Sequence, residues 1–140
     1  MCQITNLRTE KHQLLLDWLD VEEGVKALLP KLPYRPQVVL GLTRGGVIPA
    51  SLIHRYFPRA KLEVLRFSSY EDRHKVNAPI YIEHKSLHNL EGKKVLGVDD
   101  VYDSGDSISQ VLIRLKRVKN ISLTCAVLVQ KQPTALPVAS

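Results

Sequence analysis

Short apolar runs alternate with amphipathic helical patterns from Gln37 onward, and this alternation constrains the fold more than any other feature of the chain. "QVVLGL" from Gln37 is followed by the helical pattern "VIPASLIHRYF", with Pro49 in its first turn, and then by the strand pattern "KLEVLRF". After a polar stretch, "KKVLGV" returns to strand, "DSISQVLIRLKRV" to helix and "ISLTCAVLVQ" to strand. Strands this short and this continuously apolar are covered on both faces, and the helices between them supply the cover. The expected fold class is therefore α/β, a mostly parallel sheet flanked by helices. Ligands of such sheets bind beyond the carboxyl ends of the strands. Three unusual polar loops fall on that edge: "TRGG", "SSYEDRHKVN" and "DDVYDSGDS".

Ahead of this core, "EKHQLLLDWLDVEEGVKALLPKLP" places Leu14, Trp18, Val21, Val25 and Leu28 at helical spacing, with Leu15 and Leu19 widening the stripe. A helix over residues 12–29, ended near Pro30, is expected. Its Trp18 and leucines read as core, and its broad apolar face is also a candidate contact between copies. The domain plan is a helical N-terminal extension over residues 1–36, a core over residues 37–131 and a flexible tail over residues 132–140. With 140 residues the chain is the size of one domain.

A net charge of +6 suits polyanions, from a phosphorylated metabolite to nucleic acid, and a merely basic solvated surface accounts for it equally. Arg114, Lys116, Arg117 and Lys119 follow one helix, and Arg55, Arg59 and Lys61 follow another, where cations complement the helix dipole. Nucleic acid is accordingly not expected as a partner. The two cysteines, Cys2 and Cys125, give no disulfide framework, and Cys125 lies in an apolar run. The sequence shows neither an apolar run of membrane-spanning length nor a secretory signal, so a cytoplasmic location is expected.

The loop after "KKVLGV" carries most of the chemistry. Asp99 and Asp100 are adjacent, so as strand residues they point to opposite faces, and burying either carboxylate unpaired is costly. At a strand end both can turn toward a diol or a hydrated Mg²⁺, which prefers carboxylate oxygen. Ser104, Gly105, Asp106 and Ser107 then open a helix, where free amides and hydroxyls make a phosphate cradle. A plain helix cap by Asp106 or Ser107 accounts for the same residues. Asp103 lies between the diacid and this turn, placed to accept a proton or stabilise positive charge. In "LTRGGVIP" two glycines permit close backbone approach and Arg44 offers a fork of donors to phosphate. An ordinary strand-to-helix turn also explains the glycines, and the stretch matches neither the P-loop nor the dinucleotide pattern. The histidines lack a zinc-ligand pattern.

Together, "VLGVDDVYDSGDSI" resembles the ribose-phosphate signature of the type I phosphoribosyltransferases. "VVLGLTRGGVIPA" is similar to their pyrophosphate loop, and "RFSSYEDRH" to the start of their mobile catalytic loop. The resemblance spans about residues 37–131 and is nearest to the short bacterial xanthine, guanine or hypoxanthine enzymes. It implies transfer of ribose 5-phosphate from 5-phosphoribosyl 1-diphosphate (PRPP) to a 6-oxopurine, with release of pyrophosphate and a requirement for Mg²⁺. By resemblance, Asp99 and Asp100 contact the ribose hydroxyls or metal-bound water, and Asp103, Ser104, Gly105, Asp106 and Ser107 hold the 5-phosphate. Thr43, Arg44, Gly45 and Gly46 form the pyrophosphate loop, and Ser68, Ser69 and Tyr70 begin the mobile loop. Asp103 is the catalytic residue assisting proton loss from the base, and Lys131 in "VLVQKQ" recognises its exocyclic oxygen. Relatives of this kind form homodimers or homotetramers, and the same assembly is expected here, with no membrane partner. No Trp, Phe or Tyr follows Tyr102, so the C-terminal hood that stacks on the base is expected to be reduced, missing, or built from residues 1–36. The alternatives are a PRPP-sensing regulator without catalysis and transfer to another base.

Overall fold

In a computed structural model, residues 4–9, 17–42, 44–69, 80–83, 87–102 and 106–130 are described. Among them the elements run β1 (Ile4–Thr9), α1 (Trp18–Leu28), β2 (Val38–Leu42), α2 (Val47–His54), β3 (Lys61–Ser69), β4 (Ile80–Glu83), β5 (Lys94–Tyr102), α3 (Asp106–Leu115) and β6 (Ser122–Gln130). The strands form one sheet in the order β1-β6-β5-β2-β3-β4. Every pairing is parallel except β3 with β4. The α/β reading of the apolar runs therefore holds.

Alternation along the strands divides the core into two layers. Val38, Leu40 and Leu42 of β2 join Val95, Leu123, Cys125 and Val127 beneath Ile108, Val111, Leu112 and Leu115 of α3. On the opposite face Val39, Leu96, Val98, Ala126 and Leu128 pack against Val25 and Leu28 of α1 and Ala50 and Ile53 of α2. Each layer is a contiguous set of buried aliphatic side chains, the main favourable term in folding. The central strands carry apolar residues on both faces because both faces are covered.

Two expectations about the N-terminal segment need correction. The segment is not helical throughout, because Ile4–Thr9 forms an edge strand parallel to β6, with Ile4 opposite Cys125 and Thr9 opposite Gln130. Among the described residues, α1 begins at Trp18 rather than near residue 12. Asp17 caps it: its Oδ1 accepts the Asp20 N–H at 2.8 Å, and the Asp20 carboxylate accepts the Asp17 N–H at 3.1 Å. This reciprocal pair satisfies amides that have no partner inside the helix, and so fixes the start. Trp18 and Leu19 lie in the exposed first turn, at 66% and 68% accessibility, and are not core residues. The inward stripe is Val21, Val25 and Leu28. Leu14 and Leu15 lie outside the described residues.

The turn from α1 into β2 is tied to the sheet by Tyr34. Its hydroxyl lies 2.7 Å from the Val95 carbonyl oxygen and 2.9 Å from that of Ser122, one donor shared between β5 and β6. Tyr34→Phe removes this tie and is expected to cost about 1 kcal/mol. Thermal unfolding should show a melting midpoint lower by about 3 °C. An unchanged midpoint would show that the hydroxyl holds nothing together.

Candidate active site

The sheet reverses its winding between β2 and β5. From β2 the chain passes through α2 to β3 on one side, whereas from β5 it passes through α3 to β6 on the other. The two helices consequently cover opposite faces and leave a crevice beyond the carboxyl ends of β2 and β5. A crevice of this kind is where open α/β sheets bind their ligands. The candidate site lies there.

Register shows how the crevice opens. The last β2–β5 pair is Gly41 with Val98. Toward β6, pairing continues through Asp99 with Val127, Val101 with Val129 and Tyr102 with Gln130. Asp99 and Asp100 therefore do not end their strand, as the apolar run alone implied; β5 continues through them to Tyr102. Asp99 is paired with β6 on one side, and on the other the β2–β5 pairing has ended at Val98. Into that gap fits the turn Arg44–Gly46, a single turn of 3₁₀ helix between β2 and α2.

At Gly46 the fit is close enough to demand glycine. A Cβ at Gly45 would run into the Asp100 carboxylate, colliding with its Cγ and both oxygens. A Cβ at Gly46 would run into the carbonyl oxygen of Val98 and come within 3.3 Å of the Asp99 Cα. The glycines that sequence reasoning assigned to phosphate approach thus also bring two loops into contact. Val98 was missed in the sequence, because its contribution is a backbone carbonyl and no side-chain pattern signals it.

Burial dominates the electrostatics of the diacid. Burial pushes the Asp99 carboxyl up to about 7, and the neighbouring Asp100 carboxylate adds to the rise by hydrogen bonding and like charge. The Asp100 backbone N–H, donating to Asp99 Oδ1 at 2.8 Å, opposes it. Two adjacent carboxylates in a half-buried crevice favour either a proton or a cation. Only oxygen donors are present, and among the described residues no group of three or more His, Cys, Asp or Glu converges. That donor set fits Mg²⁺, which keeps several waters and takes one or two carboxylates alongside substrate phosphates. It does not fit zinc.

Arg44, Gly45 and Gly46 form the turn that meets Asp100, while Thr43 lies outside the described residues. Asp106 and Ser107 open α3 at the same sheet edge; Asp103, Ser104 and Gly105 lie outside the described residues. Ser68 and Ser69 belong to strand β3, paired with Tyr81 and Ile80 of β4, rather than to a loop. Their backbone groups join an antiparallel ladder, which the polar composition of "SSYEDRH" concealed. Tyr70 and Lys131 lie outside the described residues.

The raised Asp99 carboxyl has a sign that can be tested. Its native value, about 7, exceeds the ordinary 3.8, so the native state holds a proton that the unfolded chain has lost. The associated stability is full below about pH 4 and is lost as pH rises through about 7. Metal-free protein should therefore melt at a lower temperature at pH 8 than at pH 5.5, and Asp99→Asn should remove part of that difference. Parallel melting profiles for the two proteins would contradict the assignment.

The chain is similar to known proteins in both sequence and fold. A family model described as "Phosphoribosyl transferase domain" matches residues 15–139. The chain is 31% identical over 134 residues to the hypoxanthine-guanine phosphoribosyltransferase of Aquifex aeolicus, covering 90% of this chain and 75% of that protein. It is 30% identical over 102 residues to the xanthine-guanine phosphoribosyltransferase of Chromohalobacter salexigens, covering 71% of this chain but 59% of that protein. Among solved structures, a purine phosphoribosyltransferase from Pyrococcus horikoshii superposes with a TM-score of 0.69 at 23% identity, over 99% of this chain and 98% of that one. A hypoxanthine phosphoribosyltransferase from Staphylococcus aureus gives 0.69 at 18% identity, over 89% and 72%. These structural matches speak for the fold, and the family match extends into α1, ahead of the core boundary expected at residue 37. Because the family model covers residues 15–139, nearly the whole chain, the chain belongs to the phosphoribosyltransferase domain family, type I.

Proposed function

We propose that the protein transfers ribose 5-phosphate from PRPP to a ring nitrogen of a 6-oxopurine, releasing pyrophosphate. The observation that carries this reading is the contact of the Arg44–Gly46 turn with Asp100 at the β2–β5 switch point. It joins a turn suited to pyrophosphate and a diacid suited to ribose hydroxyls in one crevice. The names of the relatives in Aquifex and Chromohalobacter support a purine acceptor.

In this reading the roles follow the chemistry of each group. The anomeric carbon gains positive charge as its bond to pyrophosphate breaks, and the charge of the departing group moves onto the pyrophosphate oxygens. Preorganised charges of both signs then lower the barrier more than they stabilise bound substrate. Asp99 and Asp100 bind the ribose hydroxyls and hold the developing positive charge in place. Backbone donors of Arg44–Gly46, with the Arg44 guanidinium, receive the pyrophosphate. Amides at the start of α3, with Ser104 and Ser107, fix the 5-phosphate at a helix N-terminus. Asp103 accepts the proton that the attacking nitrogen loses, and Lys131 donates to the 6-oxo group. Asp99 and Asp100 would hold Mg²⁺, which when bound would supply charge neutralisation for the pyrophosphate oxygens. A segment over residues 68–79, whose first two residues belong to β3 and pair with β4, covers the crevice in this reading and excludes water as a competing acceptor.

Product formation from PRPP and Mg²⁺ with each of xanthine, guanine, hypoxanthine, adenine, orotate and uracil tests the proposal. A nucleoside monophosphate of one or more 6-oxopurines is expected, and Asp103→Asn should lower kcat by about 10²-fold or more with little change in PRPP affinity. Formation of orotidylate or uridylate alone, or no product from any base, would overturn it.

A further inference from the structure

The edge of the sheet opposite the active site carries cations that the helix-dipole argument does not reach. Arg35 stands in the turn entering β2, Arg59 and Lys61 at the entry to β3, Lys93 and Lys94 at the entry to β5, and Lys119 in the turn entering β6. All six are exposed. Dipole stabilisation is confined to the last turn of a helix. Because α2 ends at His54 and α3 at Leu115, none of the six lies in such a turn. Arg59 and Lys61 in particular are not at a helix end, as their place in the sequence implied. In the four turns that feed these strands the one acidic residue is Glu91.

The sheet holds these charges in a row. The Lys61 N–H donates to the Gln37 carbonyl at 2.9 Å, and the Gln37 N–H donates to the Lys94 carbonyl at 2.7 Å. The Lys94 N–H donates in turn to the Gln37 side chain at 2.9 Å, and the Ser122 N–H to the Lys93 carbonyl at 2.9 Å. The Gly92 N–H reaches the Lys119 carbonyl at 3.0 Å. Neighbouring strands lie about 4.8 Å apart, so the row crosses the sheet as a band of positive charge. At one end of the band is a cavity of about 360 Å³ lined by Arg35, Pro36, Phe57, Pro58, Arg59 and Ala60. The Arg35 guanidinium lies 5.7 Å from the centre of the Phe57 ring. No carboxylate lines the cavity.

We propose that this edge binds single-stranded nucleic acid. An unpaired base enters the cavity against Phe57 and Arg35, and the phosphates that follow lie along Arg59, Lys61, Lys94 and Lys93. Aromatic and guanidinium planes stack on bases of any sequence, and a cationic track beside them holds the backbone. Phe57 is partly buried in a concave site, which an unstacked base can enter and a base paired within a duplex cannot. From Lys94 to Asp100 along β5 is about 20 Å at the usual rise of a strand, so this surface is separate from the PRPP crevice.

Fluorescence anisotropy with a labelled 12-nucleotide single strand of mixed sequence tests the proposal. Saturable binding is expected at about 50 mM salt, with log K falling against log salt by about 0.7 for each phosphate contacted. Arg59→Glu with Lys94→Glu should weaken binding at least tenfold, and Phe57→Leu about tenfold. The milder pair Arg59→Gln with Lys94→Gln should give a smaller loss, and the charge variants should keep the wild-type circular dichroism and melting midpoint. No saturable binding at that salt would overturn the proposal. So would equal affinity for a duplex of the same length, or an affinity that Phe57→Leu leaves unchanged. Preferential binding to vesicles containing phosphatidylserine would replace it with a membrane surface.

Discussion

The contact between the Arg44–Gly46 turn and the end of β5 decides what the rest of the structure can do. Gly46 lies so close to the carbonyl of Val98 that it has no room for a methyl group, and a methyl group at Gly45 would displace the carboxylate of Asp100. Such closeness is possible only because β2 stops pairing at Gly41 while β5 continues along β6. The difference in strand length leaves a notch, and the turn fills it. A diacid that would otherwise be an isolated and costly feature of a strand becomes one wall of a crevice. The opposite wall is the backbone of the Arg44–Gly46 turn.

Everything that positions this notch is ordinary α/β packing. Two aliphatic layers fix α2 and α3 on opposite faces of β2 and β5, and the strand order makes that point the place where winding reverses. The helices that follow these strands begin at the carboxyl edge and end at the amino edge. Charge follows the same division. Asp99 and Asp100 stand at one edge, with the Asp99 carboxyl raised by burial, while Arg59, Lys61 and Lys94 stand at the other. A single, mostly parallel sheet thereby presents two surfaces of different electrostatic character, one concave and carboxylate-bearing, the other a cationic band.

Much of this was legible in the sequence, for identifiable reasons. Apolar runs such as "VVLGL" and "TCAVLV" announce strands buried on both faces, and the adjacent carboxylates Asp99 and Asp100 stand out because such a strand has no other use for them. Other features were hidden. Ile4–Thr9 has polar residues among its apolar ones, and its place as an edge strand comes from tertiary pairing with β6. Trp18 fits a helical stripe, yet the cap at Asp17 puts it in the exposed first turn. Ser68 and Ser69 look like loop residues, but an antiparallel partner extends β3 through them. The contact of Gly46 with a backbone carbonyl leaves no trace in side-chain chemistry, and neither does the tie from Tyr34 to two main-chain oxygens. Local pattern reports burial and turn chemistry, whereas contacts between distant backbones have to be seen in three dimensions.

The central claim is that the glycine turn and the diacid form one binding surface for PRPP. Calorimetric titration of PRPP with Mg²⁺ into the wild-type protein and Gly45→Ala tests it most directly, because the added methyl group meets the Asp100 carboxylate without removing any charged or polar group. The account predicts saturable binding to the wild-type protein and at least tenfold weaker binding to a variant that keeps the wild-type circular dichroism. Equal affinity in the two proteins, or no binding to the wild-type protein at millimolar PRPP, would contradict it.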